Sequence, residues 1–309
     1  MNQRINDYCC KILFLLMFTV LIAACGGGED KGGLAVKKVS RDGAHVIALR
    51  EDGTVKVVDS STSQSQILNE YSIDPPLQLE GVEDVFTSKQ GFIAIHDDGD
   101  LTVWGNENLA YRSEGEENVR GITSSWGYLT FFRGDGLISY WSDGVKTSIV
   151  SNDKVKLAKG RAFLTETGAL FEYDERSEDR IFVADGVKDF TIGEDGNADL
   201  ALLEDGGVIS LGNDTAAESL APYSDYIKID SSGIGGRTHN VLGLRSSGDV
   251  VVWSNAAEDI PNLFNDELHD LIDIQADDAG CFTGLRKNGE VISWGWCGNY
   301  RDVSVELSQ

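Results

Sequence analysis

The sequence predicts an all-β protein in which seven copies of one hairpin close into a seven-bladed β-propeller. Three observations support this prediction: the composition, a pattern that recurs seven times, and the spacing of its copies. Of 309 residues, 35 are Gly and only 4 are Pro, a balance typical of chains with many tight turns. Hydrophobic residues make up 41% of the chain, which is enough for a core.

The recurring pattern is a fifteen-residue window that turns on one glycine. A large apolar residue lies four positions before each glycine, and an aliphatic residue lies two positions after it. The pivot is mostly Asp-Gly, which favours a tight hairpin because glycine accepts a positive φ. Each window therefore predicts two antiparallel strands. The seven pivot glycines are Gly53, Gly99, Gly136, Gly168, Gly206, Gly248 and Gly289.

A short apolar pair at positions i and i+3 precedes most hairpins, as in Val36/Val39 and Val82/Val85. The pair adds a third strand, so each repeat holds at least three strands in about 40 residues, the length of a propeller blade. Copy 4 is the weakest, because its turn is Thr167-Gly168 and the loop before its hairpin is shorter.

The end of the pattern carries tryptophan and glycine in Val103-Trp104-Gly105 and Ser293-Trp294-Gly295, with near matches at Trp141 and Trp253. Together with the glycine and apolar columns, this resembles the regulator of chromosome condensation repeat family, over about residues 34–305. The resemblance implies seven repeats closed into a seven-bladed propeller. Copies 1, 4 and 5 depart from the tryptophan column with Val58, Tyr173 and Leu211.

Members of that family do different work. They include a chromatin-bound nucleotide exchange factor, a plant ultraviolet-B receptor and a secreted bacterial inhibitor of β-lactamases. The resemblance implies a rigid disc whose faces bind proteins, and it does not choose among these functions, because one fold hosts many activities.

The N-terminal residues 1–24 are predicted to be a lipoprotein signal peptide. Arg4 and Lys11 flank a thirteen-residue apolar run, Ile12–Ala24, that is too short to span a bilayer comfortably. The run ends in Ala23-Ala24-Cys25, which resembles a bacterial lipoprotein signal whose Cys is lipidated and becomes the new N-terminus. The alternatives are an ordinary secretory signal with an incidental Cys, or a signal anchor.

The predicted organisation follows from this signal. Residues 25–33 comprise the lipidated Cys25, with its palmitate, and a flexible Gly-rich tether, and residues 34–309 form the propeller. We expect the protein to be lipid-anchored in a bacterial cell envelope, facing the periplasm or the exterior. In a Gram-negative cell the expected location is the outer membrane, because Gly26 rather than Asp follows Cys25.

The charge balance restricts the partners. With 26 Lys and Arg against 51 Asp and Glu, the formal charge is −25, which disfavours binding to nucleic acid or to an anionic membrane surface. It favours a basic protein partner and fast, salt-sensitive association. We expect a monomer that touches the membrane only through its lipid, with no cofactor and no metal site.

Five residues form the predicted contact patch. Trp126, Tyr128 and Arg237 lie in chain segments that enter hairpins, and Trp296 and Tyr300 follow the last hairpin, so strand direction places all five at one end of the blades. Trp, Tyr and Arg are the side chains that most often dominate interfaces. The alternative is that these residues cap the ends of their own blades.

Two cysteines remain after Cys25 in this exported chain. Cys281 and Cys297 lie eight residues on either side of Gly289 and are expected to form a disulfide. If Leu285 pairs with Val291, the two cysteines are diagonal neighbours whose Cβ atoms are within about 7–8 Å, which is marginal for a bridge without local adjustment. Two separate thiols are the alternative.

No catalytic constellation can be identified. His45 is expected to be structural, and acidic clusters such as Asp97-Asp98-Gly99-Asp100 lack the spacing of a calcium loop. We therefore favour a protein–protein interaction module, with an envelope hydrolase or lyase acting in the central channel as the alternative, and a structural envelope protein as a third option. An enzyme should show ionisable side chains with shifted pKa values converging in the channel.

Overall fold

The computed structural model describes residues 35–59, 73–77, 79–88, 90–212, 216–234, 238–255, 268–277, 280–297 and 307. The chain divides into Met1–Gly33 and Leu34–Gln309. The predicted signal, Cys25 and the tether lie outside the described residues. Within the described part, no helix is long and apolar enough to cross a membrane.

Seven antiparallel sheets follow one another along the chain, and we number them 1 to 7 in chain order. Five of them have three strands. Sheet 1 holds β1 (Val36–Asp42), β2 (His45–Arg50) and β3 (Val55–Asp59), and sheet 2 holds β4 (Val82–Ser88), β5 (Gly91–His96) and β6 (Leu101–Gly105). Sheet 5 holds β15 (Val187–Ile192), β16 (Ala198–Leu203) and β17 (Val208–Ser210). Sheet 6 holds β18 (Tyr226–Ile234), β19 (Thr238–Arg245) and β20 (Val250–Ser254), and sheet 7 holds β21 (Leu271–Ala276), β22 (Cys281–Arg286) and β23 (Val291–Gly295).

Sheets 3 and 4 each gain a fourth strand at the outer edge, which the sequence pattern did not predict. Sheet 3 holds β7 (Val119–Ser125), β8 (Tyr128–Arg133), β9 (Leu137–Ser142) and β10 (Val145–Val150), and sheet 4 holds β11 (Val155–Lys159), β12 (Ala162–Thr165), β13 (Leu170–Asp174) and β14 (Asp179–Ala184). Two short helices, α1 (Glu107–Ser113) and α2 (Ala216–Leu220), follow sheets 2 and 5. The side chain of Asn106 caps α1 by accepting the N–H of Asn108.

The structure confirms the all-β class and the repeated three-stranded unit. In every sheet, the apolar residue four positions before the pivot glycine pairs with the aliphatic residue two positions after it, so the glycine closes the same hairpin seven times. The pairs are Leu49–Val55, Ile95–Leu101, Phe132–Ile138, Leu164–Leu170, Leu202–Val208, Leu244–Val250 and Leu285–Val291.

The first strand of every sheet contains the same irregularity, which the sequence did not reveal. Its register against the second strand shifts directly after the first paired residue, as between Val36 and Lys38 in sheet 1, and the shift recurs at the equivalent place in all seven sheets. Such a bulge twists the strand and re-aims its side chains. In three sheets an Asp accepts the N–H of the residue after it at this point: Asp84, Asp189 and Asp273.

Each first strand packs against the first strand of the next sheet, and β21 of sheet 7 packs against β1 of sheet 1. The described apolar residues form seven clusters, and each cluster joins two successive sheets. One of them joins Leu285 and Val291 of sheet 7 to Val36 and Val46 of sheet 1. The sheets therefore form a ring around their first strands, an arrangement that matches a β-propeller.

Hydrogen bonds close the ring between sheets 7 and 1. The side-chain oxygen of Gln275 accepts the N–H of Arg41 at 2.9 Å, and Asp277 accepts the N–H of Gly43 at 3.1 Å. The N–H of Val36 donates to the carbonyl of the pivot Gly289 at 3.3 Å. Four other pivot carbonyls accept the first N–H of the next sheet: Gly99 from Val119, Gly168 from Val187, Gly206 from Tyr226, and Gly248 from Leu271.

The tryptophan column is largely a packing column. Trp141 and Trp294 are buried, and Trp104 stacks on Phe92 of the neighbouring strand with ring centroids 5.5 Å apart. Trp253 is partly buried and packs on the cluster between sheets 5 and 6.

Candidate functional site

The sheets present two ends. We call the end with the seven pivot glycines the turn end, and the end where each first strand joins the second the loop end. The first residue of each first strand lies at the turn end, because it pairs with the residue just before the hairpin turn, as Val36 does with Arg50.

An open groove of about 830 Å³ crosses sheets 1 to 3 at the turn end. Its walls carry five carboxylates, which define what we call the acidic groove, and three cations. The carboxylates are Glu83, Asp84, Asp97, Asp98 and Asp135, and the cations are Lys37, Lys38 and Arg120. The predicted Asp97-Asp98 cluster thus lies in a concave surface rather than on an isolated turn.

Part of the charge in the acidic groove is balanced. Lys38 lies 3.6 Å from Asp84, and Arg133 lies 2.6 Å from Asp135. The N–H of Leu137 and this guanidinium hold the pKa of Asp135 below its usual value. Among the described residues, Glu83, Asp97 and Asp98 form no ion pair, and all three are exposed. Three carboxylates are therefore available to a cationic partner.

A second cavity, of about 560 Å³, is lined by residues from the first strands of all seven sheets, and we call it the central channel. Six Lys or Arg side chains and four Asp side chains line it. The sequence pattern did not single out any of these charged residues. They do lie at equivalent positions of the repeat, between or just after the two apolar residues that predicted an extra strand, which is the first strand of each sheet. Only their position in the repeat could have revealed them, because the residue type changes from sheet to sheet.

A buried ion-pair network joins sheets 4, 5 and 6 across the central channel. The ammonium of Lys159 donates to the carbonyl of Phe190 at 2.7 Å and lies 3.6 Å from Asp189 and 3.8 Å from Asp230. Asp189 also accepts the N–H of Ile229 in sheet 6 at 3.2 Å. One lysine of sheet 4 thus holds two carboxylates that are themselves bonded to neighbouring strands.

The network continues into sheet 7. Lys228 pairs with Asp273 at 2.5 Å, and Asp230 accepts the N–H of Ala276 at 2.9 Å. Burial opposes the charge of Lys228, but Asp273 and Asp230 outweigh it, so the pKa of Lys228 lies above its usual range. Burial raises the pKa of Asp230, against the opposing effect of Lys159 and Lys228.

Ionisable side chains of sheets 4 to 7 converge in the channel, and the pKa values of Lys228 and Asp230 are shifted. Asp189 and Asp230, however, each accept a backbone N–H of the next sheet, so these two carboxylates hold adjacent sheets together. The arrangement is that of structural ion pairs rather than of a free general acid or base.

The structure places Trp126 and Tyr128 together at the loop end. Trp126 has a φ of 53° in the turn between β7 and β8. Both rings are partly buried and pack against the apolar cluster between sheets 4 and 5. The Tyr128 hydroxyl donates to the carbonyl of Asp195 at 3.0 Å, so this side chain of sheet 3 reaches over to the loop of sheet 5.

Trp296 lies at the end of sheet 7 and is 44% exposed, and its backbone N–H donates to the carbonyl of Gly280 at 2.8 Å. Arg237 and Tyr300 lie outside the described residues, as does Cys25. The five-residue contact patch therefore stays a prediction, with Trp296 as its exposed described member and Trp126 and Tyr128 as side chains already packed on the core.

The structure contains a disulfide between Cys281 and Cys297, whose Cα atoms lie 4.7 Å apart. Cys281 pairs with Gly295 across sheet 7, which is the register expected from the sequence. The spacing is shorter than for a diagonal pair in regular strands, because Gly295 has a φ of 84° and turns the chain before Cys297.

The other sequence candidates have ordinary roles in the described part of the chain. His45 is buried and lies against Phe92, with its ring nitrogen Nδ1 3.3 Å from the carbonyl of Ser88. Among the described residues, no group of three or more His, Cys, Asp or Glu side chains is arranged to hold a metal ion.

No protein-family profile matches this sequence, and no curated protein matches it significantly. Solved structures with a similar chain trace include the computationally designed Ika8 protein, at 13% identity and a TM-score of 0.44, covering 86% of this chain and 85% of that chain. The C-terminal domain of gp131 from bacteriophage phiKZ is similar at 11% identity and a TM-score of 0.43, over 84% of this chain and 92% of its own.

Yeast RCC1 (Prp20), solved with Kap60 bound, is similar at 14% identity and a TM-score of 0.42, over 84% of this chain and 69% of that chain. Similarities at these low identities and TM-scores do not indicate a function for this chain.

Proposed function

We propose that this chain is a membrane-anchored lipoprotein whose seven-bladed propeller, built from repeats of the regulator of chromosome condensation type, binds a basic protein partner. The repeat columns support the family assignment, and the Ala23-Ala24-Cys25 signal supports the anchor. Ring closure supports a rigid binding surface, because the sheets hold one another in place.

The acidic groove is the observation that supports the basic partner most directly. Glu83, Asp97 and Asp98 are exposed and form no ion pair with other described residues. They line a concave surface on a chain with a formal charge of −25. A partner that presents Lys or Arg side chains would neutralise these carboxylates and would be steered to them by the field of the whole protein.

The alternative is an envelope hydrolase or lyase that acts in the central channel. The shifted pKa values of Lys228 and Asp230 are what such an enzyme requires. Asp189 and Asp230, however, each accept a hydrogen bond from a backbone N–H of the next sheet. This favours the binding role over the enzymatic one.

The groove can be tested with two variants that remove equal charge at equivalent turn positions. We expect Asp97→Asn/Asp98→Asn to weaken partner binding about tenfold, because two unpaired rim charges are lost. Glu204→Gln/Asp205→Asn occupies the same columns in sheet 5 and should leave binding nearly unchanged. Asp98 and Asp205 both accept the N–H two residues on, and Asn keeps that acceptor oxygen.

The partner is first identified by cross-linking to the full-length protein in its native envelope and by mass spectrometry, and its Kd is then measured for each variant at two salt concentrations. Equal affinity of the groove variant and the wild type contradicts the groove. An acidic cross-linked partner contradicts the basic-partner proposal as a whole.

The same binding measurement tests the aromatic patch. Trp296→Ala should weaken binding and should lower the melting temperature less than Trp126→Ala does, because the Trp296 side chain is the more exposed of the two. Trp126→Ala should lower the melting temperature, because the ring packs on the core between sheets 4 and 5. If Trp296→Ala binds normally, the patch does not contribute.

The lipid anchor has its own test. Cys25→Ser should release the protein from membranes or leave its signal unprocessed, because the thiol that accepts the lipid is gone. Membrane fractionation and mass spectrometry of the native N-terminus measure both outcomes, and Cys297→Ser, which leaves Cys25 intact, is the control. An unmodified Cys25 in the native protein would contradict the anchor.

A further inference from the structure

One arc of the central channel differs from the rest in its charge and polarity. The second residue of the first strand is Lys156 in sheet 4, Lys188 in sheet 5, Ile227 in sheet 6 and Ile272 in sheet 7. All four line the channel at its turn-end mouth. Two lysines are thus followed, in successive sheets, by two isoleucines.

The two lysines of this arc carry charge that the described protein does not neutralise. The ammonium of Lys156 donates to the backbone carbonyl of Lys188 at 2.9 Å, and neither lysine forms an ion pair among the described residues. Arg120 holds the equivalent place in sheet 3 and differs from them, because Glu166 lies 2.7 Å from its guanidinium. The Lys156 ammonium thus lies at the backbone of Lys188, and an anion bound there would be attracted by both cations.

The two isoleucines expose apolar surface to the channel. Ile227 is 38% exposed and Ile272 is 51% exposed, at a position where the other five sheets carry charged side chains. Apolar surface in a concave, partly enclosed wall gains most when a ligand displaces water from it. The arc therefore offers an apolar contact directly beside two unpaired cations.

The charged residues that follow Lys188 and Ile227 along their strands are already in ion pairs, so they are not available to a ligand of the arc. Asp189 is paired with Lys159, and Lys228 is paired with Asp273. The channel volume of about 560 Å³ also lies within the range of small-molecule sites.

We propose that this arc binds a small amphiphilic anion, with its charged group on Lys156 and Lys188 and its apolar group on Ile227 and Ile272. The shared chemistry is an anionic head, phosphate or carboxylate, attached to a short hydrocarbon chain. This site is separate from the acidic groove, so it does not depend on the proposed protein partner.

The test is isothermal titration calorimetry of the protein with hexyl phosphate, hexanoate, inorganic phosphate and hexanol. We expect hexyl phosphate or hexanoate to bind more tightly than either inorganic phosphate or hexanol, and the two anionic heads to separate the phosphate source from the carboxylate source. Lys156→Ala/Lys188→Ala should weaken binding about tenfold or more, because hydrogen bonds to charged groups are lost.

Two further variants distinguish a site from a general effect of charge or stability. Ile227→Ser/Ile272→Ser should weaken hexyl phosphate and leave inorganic phosphate unchanged. Lys287→Ala removes one exposed cation from a turn at the same end of the protein and should change nothing. Circular dichroism of each variant verifies that the fold is retained.

Absence of binding by the wild type overturns the proposal. Equal affinity for hexanol and hexyl phosphate, or equal affinity of the Lys156→Ala/Lys188→Ala variant and the wild type, also overturns it. None of these three results bears on partner binding at the acidic groove, whose variants leave this arc intact.

Discussion

Replacing Lys159 by Met should lower the free energy of unfolding by about 3–5 kcal/mol, because a buried ion pair that loses one partner leaves an uncompensated charge. Here the change leaves two carboxylates without their cation, since Lys159 lies 3.6 Å from Asp189 and 3.8 Å from Asp230. Lys159 and Asp189 are buried, so water screens the lost cation poorly. Met keeps the length of the side chain, which limits any cavity. Urea unfolding followed by tryptophan fluorescence measures the loss.

Lys38→Met is the matched control for this prediction. Lys38 pairs with Asp84 at the same 3.6 Å, but both side chains are more than a third exposed. Solvent screens such pairs, so the expected loss is about 1 kcal/mol or less. Equal losses for Lys159→Met and Lys38→Met would contradict the role assigned to the network.

The charge itself can be tested in the Lys159→Met background. Adding Asp189→Asn and Asp230→Asn should restore much of the stability, because Asn keeps the acceptor oxygens while the unpaired charges disappear. The loss of unfolding free energy in the single variant should also shrink as the pH falls, since protonation of Asp230 removes one of the two unpaired charges. A deficit independent of pH would indicate lost packing instead.

Gly289→Ala should destabilise the protein by about 3 kcal/mol or more, from two separate causes. The first is the positive φ of 81°, which costs an alanine about 1–2 kcal/mol. The second is crowding: a Cβ at this glycine would lie 2.6 Å from the Cβ of Ala35 and 2.8 Å from the N of Val36. Moving these atoms apart breaks the bond from Val36 to Gly289 at the ring closure, and overpacking adds about 1–3 kcal/mol.

Gly53→Ala separates the two causes. Gly53 has nearly the same φ, 83°, yet a Cβ there meets nothing within 4 Å. Its variant should lose only the conformational part, about 1–2 kcal/mol. Thermal and urea unfolding of both variants give the difference. If the two alanines cost the same, the pivot glycines act only through their turns, and the close approach at residue 289 is unimportant.

This pair of glycines also shows how far the sequence predicts the fold. The hairpin around Gly53 or Gly289 could be inferred, because its partners lie within fifteen residues and keep a constant spacing. The contact between Gly289 and Ala35 could not, because it joins positions more than 250 residues apart and exists only once the ring has closed. Local periodicity carries information on strands and turns, and not on which sheets meet.

The candidate sites follow the same division. The Asp97-Asp98 cluster was visible as a charged turn, but its place in a groove with Glu83 depends on how sheets 1 to 3 are arranged. The strands β10 and β14 were missed because they lie at sheet edges and expose residues such as Val150 and Phe182, so they lack the apolar columns of the inner strands. The charged residues of the channel were missed because they share a position in the repeat but not a residue type.

The seven apolar clusters have a consequence for how the protein loses its structure. Each cluster is shared by two sheets, including the one that joins sheet 7 to sheet 1, so no sheet owns a core of its own. In a linear repeat array, the terminal units can fray one at a time and need special caps. A ring of this kind has no terminal unit. Detaching any one sheet exposes two clusters at once, which makes gradual fraying costly and couples all seven sheets into a single cooperative transition.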